Sequence, residues 1–81
     1  METQAALTEF VLEELAKGRK SVIQPEDDLL GEGIIDSLGI LQLVAFIEEK
    51  FNFQVPDEDV VIENFMSIEA LSNYLQGKLS N

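Results

Sequence analysis

Eighty-one residues, 46% of them hydrophobic and only two of them proline, make one folded domain with a thin core and exclude a disordered chain. Cysteine and histidine are both absent, which removes disulfides, thiolate chemistry, the commonest general base and the commonest metal ligand. Sixteen acids against five bases give a net charge of −11, nearly all of it in residues 21–81, and such a surface repels phosphate backbones and argues against a nucleic-acid partner.

The acidity instead attracts basic patches on protein partners. The first four residues are polar and lack a basic stretch followed by an apolar one, so no secretory signal is expected there. No apolar run approaches the ~20 residues of a spanning helix. The expectation is a monomer of the cytoplasm with no membrane span.

Residues 3–17 predict a first helix, with Leu7, Phe10, Val11 and Leu15 recurring at helical spacing and Glu9, Glu13 and Glu14 on the other face. Gly18 is the expected stop, with Lys17, Arg19 and Lys20 at the negative end of the helix dipole. A long connection follows, punctuated by Pro25, Gly31 and Gly33 and carrying the acids Glu26, Asp27 and Asp28. Its apolar side chains, Val22, Ile23, Leu29, Leu30, Ile34 and Ile35, must be pinned over a core, because leaving them in water is costly.

Residues 37–51 predict the second helix. Only Gly39 and Gln42 interrupt its apolar run from Leu38 to Ile47, so it is either covered on all sides by the chain or docks something on a second face. The stretch from Asn52 to Pro56 breaks the pattern. A short third helix is expected over residues 57–62, with Asp57, Glu58 and Asp59 at its positive N-terminus. Ser67 is the expected cap of a last helix over residues 67–79, where Ile68, Leu71, Leu75 and Leu79 make one stripe. No segment alternates with period two. The fold class is therefore all-α, three main helices and one short one with a long first loop.

The stretch Gly33-Ile34-Ile35-Asp36-Ser37-Leu38-Gly39 puts Asp-Ser-Leu at the start of a helix. It resembles the attachment site of the phosphopantetheine-dependent carrier proteins, which include acyl carriers and peptidyl or aminoacyl carriers. The resemblance runs from about Leu29 to Leu75 and takes in Val55-Pro56-Asp57 and Phe65-Met66-Ser67-Ile68. It implies the four-helix carrier bundle and a 4'-phosphopantetheine arm on Ser37, moved there from coenzyme A by a phosphopantetheinyl transferase. Asp36 and Leu38 would complete the recognition motif. An exposed serine at a helix N-terminus suits a phosphate, since free backbone N–H groups and the dipole favour an anion there. Taken alone, however, Ser37 is an ordinary N-cap worth ~0.5–2 kcal/mol over alanine.

The same resemblance makes the second helix the main recognition surface, with Glu48 and Glu49 as acids that meet basic partner residues. Ile40, Phe46 and Ala45 are candidate apolar contacts, and Asp57 and Glu58 extend the acidic surface. Acids common nearer the serine in fatty-acid carriers are replaced by Gly39 and Gln42, and Glu63-Asn64-Phe65 looks more like discrete carriers loaded by adenylating ligases. The implied partners are the transferase, an acyl- or aminoacyl-loading ligase or transferase, and downstream synthase enzymes of lipid or secondary-metabolite synthesis. No catalytic residue is expected, and the acids around Asp57 lack the alternation and glycine of a calcium loop, so no metal is expected either. Ser37 and Ser67 as hydrolytic nucleophiles fail for want of a base. The alternative of another class is a helical module that binds a partner without a covalent arm.

Overall fold

The computed structural model describes residues 2–16 and 22–79. The expected helix stop at Lys17, Gly18, Arg19 and Lys20 lies outside the described residues.

Helix α1 spans Glu2–Phe10 and then widens into a π turn over Val11–Leu15, closed by the Ala16 N–H donating to the Val11 carbonyl at 2.7 Å. The regular α-helix expected here thus gives way to a π turn from Val11 onward. Residues five apart on an α-helix sit about 140° apart. Widening the turn by a residue brings them onto one face, and here both Val11 and Ala16 are fully buried. Helix α2 spans Ser37–Phe51 and ends at Asn52, whose φ of 53° is the left-handed cap that asparagine tolerates best after glycine.

The short third helix of residues 57–62 is replaced by two pieces. A 3₁₀ turn covers Asp57–Asp59, and α3 covers Ile62–Phe65. Between them Val61 is extended, with φ −128° and ψ 158°, a conformation that β-branched side chains favour. Ile62 consequently stands 67% exposed, and Phe65 enters the core in its place. Helix α4 spans Ile68–Leu79 and is capped by Ser67, whose Oγ accepts from the Ala70 N–H at 3.0 Å.

Helices α1 and α3 both pack against α4. The core joins Leu7 of α1, Val11 of the π turn, Leu43 and Ile47 of α2, Phe65, and Ile68, Leu71 and Leu75 of α4. The long connection is pinned to it. Leu29 is fully buried; its N–H donates to the Met66 carbonyl at 2.8 Å, and its own carbonyl accepts from Ile34 and Ile35 at 2.9 and 3.1 Å. The Pro25 carbonyl accepts from Glu69 N–H at the start of α4, at 2.8 Å. Two of the three loop acids are turn formers: Asp27 Oδ2 accepts from the Gln24 amide and Asp28 Oδ1 from the Gly31 amide. Among the described residues no helix is long and apolar enough to cross a membrane.

Candidate functional site

The turn into α2 is set by three neighbouring residues. Gly33 takes a φ of +72°, a left-handed conformation without strain for glycine alone. Ile34 and Ile35 then both bury their side chains, anchoring the chain immediately before the helix. Asp36 is extended and is the N-cap: its Oδ1 accepts from the Gly39 N–H at 2.8 Å. The first intrahelical bond runs from the Ile40 N–H to the Asp36 carbonyl at 2.9 Å.

This assignment leaves Ser37 as the first residue of the helix, exposed, with the capping done by its neighbour. The Ser37 and Leu38 amides lie ahead of the first intrahelical bond, at the positive end of the dipole. A hydroxyl so placed can be reached by another protein, and a phosphate esterified to it would sit where the helix favours an anion.

Gly39 serves the packing of this turn. It is buried, and a Cβ there would meet the Ile35 Cβ at 3.1 Å and Asp36 Oδ1 at 3.5 Å. The missing side chain lets the preceding loop close against α2, which holds Asp36 and Ser37 in register. A cavity of about 190 Å³ opens beside this turn, between Glu14 and Leu15 of the π turn and Asp36, Leu38 and Gln42.

The candidate contact residues divide. Ile40 and Phe46 are half-buried against the core, and Phe46 stacks on Phe10 with ring centroids 4.3 Å apart. Glu48 is also half-buried, and its Oε2 accepts from the Val55 N–H at 2.9 Å, fixing the chain after α2. Glu49, Asp57 and Glu58 are exposed. The outward apolar row of α2 is Leu38 (62% exposed), Leu41 (63%) and the exposed Ala45, about half a helical turn round from the buried Leu43. The spacing of Leu38, Leu41, Val44 or Ala45 and Glu48 marks Leu41 as part of one row of the helix, but Leu41 is not among the candidate contacts. Its signal was there in the spacing: Leu38, Leu41 and Ala45 share a face that cannot also be the face of Leu43 and Ile47. The first turn of α2 carries no acid.

Comparison with known proteins agrees with this geometry. Residues 5–75 match the family model described as phosphopantetheine attachment site. The acyl carrier protein of Micrococcus luteus is 32% identical over 76 residues, 94% of this chain and 90% of that protein. That of Campylobacter lari is 33% identical over 57 residues, 70% of this chain and 71% of that one. The solution NMR structure of a holo acyl carrier protein from Nitrosomonas europaea superposes with a TM-score of 0.83 at 26% identity, covering the whole of both chains.

Proposed function

Since the chain belongs to the phosphopantetheine attachment family and works as an acyl carrier whose prosthetic group is covalent 4'-phosphopantetheine, we propose that Ser37 is the residue that bears the arm. The observation that supports this is the turn into α2, where Asp36 caps the helix and leaves the Ser37 hydroxyl exposed and uncommitted. The residues fit the group: the Ser37 and Leu38 amides would hold its phosphate, and Gly39 keeps that turn rigid. When bound, the arm supplies a terminal thiol that holds acyl groups as thioesters.

The chain's own contribution is positional. Ser37 Oγ is presented to a phosphopantetheinyl transferase, which takes the hydroxyl proton as the oxygen displaces adenosine bisphosphate from the phosphorus of coenzyme A. The chain itself catalyses nothing. A carboxylate at Asp36 serves the helix cap and is also read by the transferase. Relatives named acyl carrier proteins do not favour an aminoacyl carrier or a non-covalent interaction module as alternatives.

Acyl carrier proteins work with partner enzymes, and the partners of this chain are an acyl-loading enzyme and downstream synthases of the cytoplasm. Leu38, Leu41 and Ala45 form the row such enzymes meet first, with Glu49, Asp57 and Glu58 as the flanking charges. Incubation with a phosphopantetheinyl transferase and coenzyme A, followed by intact-mass measurement, tests the assignment. Wild type gains one phosphopantetheine and Ser37→Ala gains none; an equal gain in both moves the attachment elsewhere.

A further inference from the structure

The segment between Val55 and Ser67 is held at both ends and at one point between. At its start the Val55 amide is tied to Glu48 of α2 and the Val55 side chain is buried. At its end the Met66 carbonyl accepts from Leu29, and Ser67 caps α4. The two helical pieces between are three and four residues long, and neither start has a side-chain cap. Pieces this short do not stand by themselves in water. Val61, Ile62 and Met66 face solvent, and Phe65 alone in this segment is wholly buried.

The middle fastening converges on Asp59. Tyr74 Oη of α4 donates to Asp59 Oδ2 at 2.5 Å, and Lys78 Nζ, one turn further along α4, lies 3.7 Å from the same oxygen. Lys78 also sits 5.9 Å from the Tyr74 ring centroid, and Phe53 meets that ring edge-on at 6.4 Å. On the other side Asn64 Nδ2 donates to the Asp59 carbonyl at 2.8 Å. One residue thus joins the 3₁₀ turn, α3 and α4.

We propose that Asp59, Tyr74 and Lys78 form a latch that sets how often residues 57–65 lift from α4 while the rest of the bundle stays folded. Val55 and Ser67 are the fixed points on either side, and their fastenings do not depend on Asp59. Lifting draws Phe65 from the core and moves Val61 and Ile62 with it. Partial opening of this kind is what a segment with few buried side chains and solvent-exposed backbone bonds undergoes. The latch stands whether or not Ser37 carries an arm.

Native-state amide hydrogen exchange on wild type, Tyr74→Phe and Lys78→Gln tests it, with denaturant unfolding measured alongside. Loss of a hydrogen bond to a charged acceptor predicts that the Val60, Asn64 and Phe65 amides of Tyr74→Phe exchange about 10-fold faster or more, through an opening that in every variant stays faster and less dependent on denaturant than exchange of the Leu43 and Ile47 amides. Lys78→Gln, at an exposed position that cannot prevent folding, speeds the same amides by about 2–5-fold. Segment amides that exchange only in step with those of Leu43 and Ile47, with the same denaturant dependence in wild type and both variants, would show that the segment opens only when the whole bundle unfolds and would overturn the latch. So would segment rates unchanged in both variants.

Discussion

Substitution of Asp36 separates the helix cap from the attachment point most sharply. The Asp36 side chain accepts one backbone hydrogen bond at 2.8 Å and places a carboxylate on the positive end of α2. Loss of such a cap costs about 1 kcal/mol, within a range of about 0.5–2, and the charge contributes about 0.3–1 of this by itself. Asp36→Ala therefore loses about 1–2 kcal/mol, whereas Asp36→Asn keeps an acceptor and loses about 0.3–1. In a domain this small 1 kcal/mol corresponds to about 4–8 °C in Tm, so alanine lowers the melting point of the unmodified protein by roughly 5–15 °C and asparagine by well under half of that. Ser37→Ala, at an exposed first helical position, stays within about 0.5 kcal/mol of wild type. Thermal unfolding followed by circular dichroism reads all three. If Ser37→Ala loses as much as Asp36→Ala, or Asp36→Ala loses nothing, the cap has been assigned to the wrong residue. The transferase then reads the charge: Asp36→Asn remains folded but is modified more slowly than wild type.

Leu41→Asp removes an exposed leucine from the outward row of α2, so it leaves stability within about 0.5 kcal/mol but slows loading by a partner enzyme at least several-fold; steady-state loading rates at two salt concentrations check this. Ser72 is 1% exposed and its Oγ has no hydrogen-bond partner among the described residues, so Ser72→Ala is neutral or stabilising by up to ~1 kcal/mol in denaturant unfolding, because a buried hydroxyl without a partner is costly. Burial, reinforced by the hydrogen bond to Asp59 and its charge, holds the Tyr74 phenol above its usual range. A group raised in the folded state contributes stability that is complete below its unfolded value, about 10, and is lost as pH climbs from there towards the folded value. Wild type should therefore lose stability faster than Tyr74→Phe above about pH 10; parallel curves would show that the phenol is not held.

The helical stripes were legible because they depend only on spacing: α2 occupies Ser37–Phe51, the range that its apolar run and flanking breakers indicate. Its two faces were harder to tell apart, since ten nearly continuous apolar positions give no polar side to orient by. Only the packing of Phe46 on Phe10 and of Glu48 on the Val55 amide shows which of them turn inward. The π turn at Val11–Leu15 has no local signature, because it answers to where Ala16 must sit in the core. The break at Val61 was written in a β-branched pair, but the acids before it resemble a helix start strongly enough to hide it. Leu29 read as one apolar loop residue among six, and its backbone pairing with Met66 depends on a partner 37 positions away. At the site itself, Asp36 and Ser37 both suit a helix cap by chemistry. The backbone geometry that assigns the cap to one and frees the other is not a property of either residue alone.

Fragmentation mass spectrometry of the chain after treatment with coenzyme A and a phosphopantetheinyl transferase tests the central claim most directly. All of the added mass should lie on Ser37, with none on Ser67, which is buried and caps α4, or on Ser72 in the core. Added mass on any other residue, or none at all on a folded chain, would contradict it.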